Sequence, residues 1–91
     1  MGIYGQRHLR YIKENNKPLF NELWFSGKLH DYLAELDHEA HEMLERLIEQ
    51  MKGCEGVTEQ LKADDQLEWV RRMNNIRNRV EEVVNHELVF A

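Results

Sequence analysis

The chain has one cysteine, Cys54, so no internal disulfide can form, and it fits a reducing compartment. It has one proline, Pro18, and therefore little to interrupt a helix. No apolar run approaches the roughly 18 residues a membrane-spanning helix needs, and no basic start leads into an apolar stretch. A cytoplasmic protein without membrane contact is expected. There is no strand-like alternation of any length, no glycine-rich phosphate loop and no Ser/His/Asp arrangement. Without a specific catalytic or cofactor motif, neither an enzyme nor a cofactor is expected. Positive charge is also short: 12 Lys and Arg against 17 Asp and Glu give a net charge of -5, which weighs against a simple duplex-DNA binder.

What is present is helical periodicity, in a chain of one-domain length, 91 residues. A chain this short buries only roughly 60–65% of the surface its unfolded form exposes, so long paired helices or dimerisation are the expected remedies. The fold class is all-α. A first helix spans about residues 3–15 and stops at Asn15-Asn16-Lys17-Pro18, because the residue before a proline avoids the helical region. Pro18 suits the first position of a second helix, about 18–25, which Ser26-Gly27 breaks. A long third helix, about 28–52, carries Leu29, Leu33, Leu36, Ala40, Met43 and Leu47 at alternating four and three spacings, and Gly53 is its expected stop. Residues 54–57 are then a loop. Thr58 caps a short helix, about 59–63, and Asp64 or Asp65 caps a last long helix, about 66–88; one continuous helix from Thr58 is the other reading.

In that last helix Trp69, Met73, Ile76, Val80 and Val83 repeat the four–three spacing. The two long helices are expected to form an antiparallel hairpin with Leu36, Ala40, Met43, Trp69, Met73, Ile76 and Val80 buried. The two N-terminal helices pack over it through Leu9, Ile12, Leu19, Phe20, Leu23 and Trp24.

Charge is unevenly spread. Arg7, Arg10, Lys13 and Lys17 sit in the first segment against Glu14 alone, and Arg71, Arg72, Arg77 and Arg79 sit in the last. Between them Asp31, Glu35, Asp37, Glu39, Glu42, Glu45 and Glu49 face a single cation, Arg46. A dipolar surface of this kind suits protein contact or self-association at least as well as nucleic acid.

In the acidic helix, Asp37-His38-Glu39-Ala40-His41-Glu42 has its histidines three apart, not the four that would aim both at one zinc ion. Glu35 and His38 form one Glu-x-x-His step, but a di-iron site needs a second, and none is found. No metal site is expected. Residues 18–36 can be read as a helix-turn-helix, but its reading helix would present Asp31, Glu35 and Asp37 to phosphates.

The last helix is a better nucleic-acid candidate. It holds four asparagines, poor helix formers, and a helical projection puts Arg71, Asn74, Asn75, Asn78 and Asn85 on its solvent side. Asparagine can pair with an adenine edge, and arginine with guanine or phosphate. Arg7, Arg10 and Lys13 of the first helix, with Arg71, Arg72, Asn74, Asn78 and Arg79 of the last, are the candidate nucleic-acid residues. The bland alternative is that these groups bond to the first helix or a loop, or pair along the helix with Glu68 and Glu82. For a protein partner the candidate residues are Asp31, Glu35, Glu39 and Glu42.

Four stretches carry a family resemblance: GQRHLRYIKE (residues 5–14), SGKL (26–29), GVTEQLKA (56–63) and WVRRMNNIRNRVEEVV (69–84). In this order they resemble TnpV, a family of small transposon-encoded proteins. Family members usually carry a further N-terminal stretch ahead of the Gly-Gln-Arg motif, which this chain is expected to lack. The resemblance implies a mobile-element accessory protein and carries over no catalytic residue. The expectation is a non-catalytic protein that binds element DNA or a protein that handles it. The rival is an acidic inhibitor or modulator of a host nucleic-acid-binding machine, in the manner of an anti-CRISPR factor. Candidate partners are DNA, a host or element protein, and a second copy of the chain.

Overall fold

In a computed structural model describing residues 2–90, five α-helices and a terminal π-helical turn account for the chain, with no strand among the described residues. They are α1 (Ile3–Asn15), α2 (Lys17–Ser26), α3 (Leu29–Glu55), α4 (Glu59–Asp64), α5 (Gln66–Val84) and the π-turn Asn85–Val89. Local chemistry sets most boundaries. Asn16 accepts from Leu19 N–H at 3.4 Å with Pro18 in the first turn of α2, Thr58 accepts from Leu61 N–H at 3.2 Å, and Asp65 accepts from Glu68 N–H at 3.1 Å.

The third helix runs past its expected stop. Gly53 lies inside α3, and Cys54 and Glu55 complete the helix instead of starting a loop. Gly56 takes the left-handed conformation (φ 68°), and Val57 N–H reaches back to the Lys52 carbonyl at 3.0 Å. That is the six-to-one bond of a Schellman stop, and it drives Val57 into the core, 2% exposed. A stop at Gly53 would leave Val57 without this anchor. One interior glycine costs only about 1 kcal/mol, so the later stop wins.

The core is Ala40, Leu44 and Ile48 of α3 against Ile76, Val80 and Val84 of α5, closed by Tyr4, Val57 and Val89. The four–three seam holds in part: Leu33, Ala40, Ile76 and Val80 are buried, and Met43, Leu47, Trp69 and Met73 pack against the core, but the fully buried positions of the core follow another spacing. Both helices present four–four stripes, which drift around a straight helix rather than holding the strict heptad of a coiled coil. Val83 is exposed and Val84 takes its place; Met43, Trp69 and Met73 are only half-buried at the edge of the core. Leu36 lies outside this cluster and is half-buried.

Helix α1 supplies the third layer. Tyr4 meets His41, Gly5 meets Asp37 and His8 meets Tyr32, so contacts climb α1 as they descend α3, and the two run antiparallel. Ile12 is buried and Leu9 half-buried, as expected of a covering helix, but α2 buries no residue at all. Leu19, Phe20 and Leu23 are half-buried, while Trp24, expected to cover the core, is 64% exposed.

The last helix ends earlier than expected, at Val84, and widens into the π-turn. This turn brings Val89 into the core and aims its carbonyl at His8. The molecule is elongated, 55 × 20 × 18 Å.

Candidate functional site

Three of the four arginines of α5 hold carboxylates, while Arg77 is exposed and makes no ion pair among the described residues. Arg71 and Arg72 both bind Glu68, one turn away, at 2.6 Å and 2.8 Å. Hydrogen bonds from Arg71, then Arg72, hold the Glu68 carboxyl below the usual range, and Glu68 in turn raises Arg71. Arg79 reaches across to Glu55 in the last turn of α3, at 2.8 Å. These pairs are solvent-exposed, and each contributes little to stability. Their effect is on the field: three of the candidate nucleic-acid residues hold two carboxylates between them, which cancel two of their three charges. Asn74, Asn75 and Asn78 are exposed and make no side-chain hydrogen bond among the described residues. Asn85 is half-buried and accepts from Arg7 at 3.4 Å, while the Arg7 guanidinium lies 5.5 Å from the Tyr4 ring centre. Arg7 thus packs between α1 and the π-turn. Arg10 and Lys13 remain exposed on α1, with the Lys13 ammonium 5.5 Å from the Phe20 ring centre.

The acidic helix divides into two kinds of carboxylate. Asp37 faces inward, accepting from Gly5 N–H at 3.0 Å and meeting His41 at 3.2 Å. His38 turns the other way, to Glu42 at 3.1 Å. The two histidines therefore point to separate partners. Among the described residues no group of three His, Cys, Asp or Glu is placed to hold a metal ion. Asp31, Glu35 and Glu39 are exposed and make no ion pair among the described residues.

Beside these three carboxylates the surface is concave. One hollow of about 340 Å³ is lined by Leu23 of α2 together with Lys28, Asp31, Tyr32 and Glu35. A second, of about 320 Å³, is lined by Tyr32, Glu35, Leu36 and Glu39. They share Tyr32 and Glu35 and so adjoin along one face of α3, with α2 reaching only the first through Leu23. Tyr32, common to both hollows, is anchored beneath them: its hydroxyl lies 2.8 Å from His8 Nε2, and His8 Nδ1 donates to the Val89 carbonyl at 2.7 Å. Burial raises the Tyr32 pKa above the ordinary tyrosine value. At the α2 end, Trp24 and Phe25 are 64% and 85% exposed, and Trp24 stacks on Phe20 with ring centres 6.1 Å apart.

The groove brings together three of the four sequence candidates for a protein contact, Asp31, Glu35 and Glu39, and leaves Glu42 with His38. Sequence reasoning missed the apolar half. Leu36 and Trp24 satisfy helical core patterns, and only the position of α2 shows that Leu36 is half-covered and Trp24 open. A larger concavity, about 600 Å³, opens between α1, α3 and α5 around Tyr4, Leu44, Ile48 and Met73. Its rim mixes Glu45, Glu49 and Glu81 with Lys52 and Arg77. The Tyr4 hydroxyl donates to Glu81 there at 3.2 Å, Lys52 to Glu49 at 3.4 Å, and His41 on its wall meets Asp37 at 3.2 Å.

These features define a small all-α protein with an uncovered aromatic helix and an acid-lined surface groove; no described helix is long and apolar enough to cross a membrane. The model of the family described as "Transposon-encoded protein TnpV" matches residues 1–89, and the chain belongs to that family. No curated protein and no solved structure matches it.

Proposed function

We propose that this transposon-encoded protein is a non-catalytic accessory factor that acts by binding a DNA-handling protein. The observation carrying this reading is α2, a ten-residue helix with no buried residue that leaves Trp24 and Phe25 open to solvent. Exposed aromatic side chains beside polar groups are the usual anchors of protein contacts. Direct binding of duplex DNA by α5 has less support, because Arg71, Arg72 and Arg79 already hold carboxylates.

Affinity capture from the host, with and without nuclease, tests the reading when followed by rebinding of the purified partner. A partner retained after nuclease and lost with Trp24→Ala/Phe25→Ala is the expected result. Loss of every partner on nuclease treatment, with a shift of element-end DNA by the purified protein, overturns it.

A further inference from the structure

We propose that the groove formed by Leu23, Tyr32 and Leu36 seats a basic amphipathic helix of the partner protein. This rests on the protein-binding reading above and names the segment that binds. Tyr32 and Leu36 are four residues apart and form an apolar stripe along α3, with Leu23 of α2 closing one end. Asp31, Glu35 and Glu39, also at four-residue steps, form a second stripe along its edge. Four residues advance a helix by about 6 Å, so a partner helix with Lys or Arg once per turn matches the carboxylates in register. A single cation, Lys28, lines the groove against those three acids.

The chemistry selects the occupant. The carboxylates repel nucleic acid and anionic lipid, and they attract lysine and arginine. The lining is one face of α3 with Leu23 of α2 at one end, which offers no strand edge for an extended peptide, so the occupant lays an apolar helical face along it. Leu36 supports this geometry: it has core spacing and core chemistry, yet lies half-buried outside the core cluster.

The test uses the full chain and two synthetic probes: a leucine–lysine helix of 3.6-residue periodicity, and the same helix with glutamate for lysine. Binding is read by fluorescence anisotropy. The lysine probe is expected to bind and the glutamate probe not to. Glu35→Lys/Glu39→Lys should weaken binding by more than about tenfold, since it turns attraction into repulsion at the contact. Glu45→Lys/Glu49→Lys, the same charge change outside the groove, should weaken it less than about threefold. Equal loss from both pairs would show a diffuse charge effect and overturn the assignment. So would a sedimenting dimer that Leu36→Asp dissociates, because a second copy would then fill the groove. If the captured partner still binds Glu35→Lys/Glu39→Lys but not Trp24→Ala/Phe25→Ala, the groove fails and the protein-binding reading stands. If neither pair affects capture, both fail.

Discussion

The Asp37 carboxylate on α3 accepts the backbone N–H of Gly5 in the first turn of α1, at 3.0 Å. Gly2 offers α1 no side-chain cap, so this carboxylate, distant in sequence, supplies one and meets the positive end of the helix dipole. A Cβ at Gly2 would overlap it. Asp37→Ala should cost about 1–2 kcal/mol, and Asp37→Asn less. Urea melts measure this; equal stability of Asp37→Ala and the parent would contradict the capping role.

His8 joins three elements from a buried position. A carbonyl can only accept, so Nδ1 carries the proton shared with Val89, and in the neutral ring Nε2 then accepts from the Tyr32 hydroxyl. Tyr32→Phe leaves that nitrogen unpaired and should cost about 1–3 kcal/mol. Hydrogen exchange should show the loosening at the π-turn, at the other end of the imidazole. A loss confined to α3 would contradict the bridge.

The helices were legible in the sequence wherever the determinant is local. Thr58 and Asp65 mark starts because a cap acts within three residues, and Pro18 marks one because its missing N–H costs nothing in the first turn of α2. Arg71 and Arg72 pairing with Glu68 was open to the same reasoning, as a one-turn relation. What escaped it depends on a distant element. Gly53 and Gly56 are equivalent as local stops until Val57 finds its place in the core. Tyr4, His8 and Asp37 acquire their roles only when α1 lies against α3, and Glu55 meets Arg79 from 24 positions away. Leu36 and Trp24 have core spacing, yet Leu36 is only half-covered and Trp24 is exposed, which periodicity cannot distinguish from burial.

That distinction predicts unequal costs for two substitutions of similar chemistry. Ile76 is fully buried, and Ile76→Ala should cost about 2–5 kcal/mol. Leu36→Ala, at the groove, should cost less than about 1.5 kcal/mol, because little transfer energy or cavity is at stake. Thermal melts of the two variants check this, and equal losses would return Leu36 to the core.

Alkaline stability follows from Tyr4. Burial, and then the Glu81 charge and its hydrogen bond, raise the Tyr4 pKa above the ordinary 10.0; burial raises Tyr32 as well. The unfolded chain therefore loses these protons first. The stabilisation is complete below pH 10 and falls as pH rises from the unfolded value through the raised one. Stability should decline above pH 10, and less steeply in Tyr4→Phe, which has no proton to lose there. The gap between parent and Tyr4→Phe should narrow with rising pH. A widening gap in urea melts would contradict the assignment.

Freeing the arginines of α5 should create a duplex-binding surface. Glu68 holds Arg71 and Arg72, and Glu55 holds Arg79, which together cancel two of the three positive charges, so the parent is expected to give no mobility shift of element-end DNA at tens of micromolar protein and low salt. Glu55→Gln/Glu68→Gln removes two negative charges and releases three guanidiniums on one helix. Each phosphate that a freed guanidinium neutralises adds about 0.9 to the slope of log affinity against log salt. The variant should therefore bind weakly, with a slope of about 2–3 and no sequence preference. Removing Arg72 or Arg79 from that variant should lower the slope by about one. A sequence-selective shift by the parent, weakened by Asn74→Ala or Asn78→Ala, would instead make α5 a reading helix despite its ion pairs, and would move the function from a protein partner to DNA.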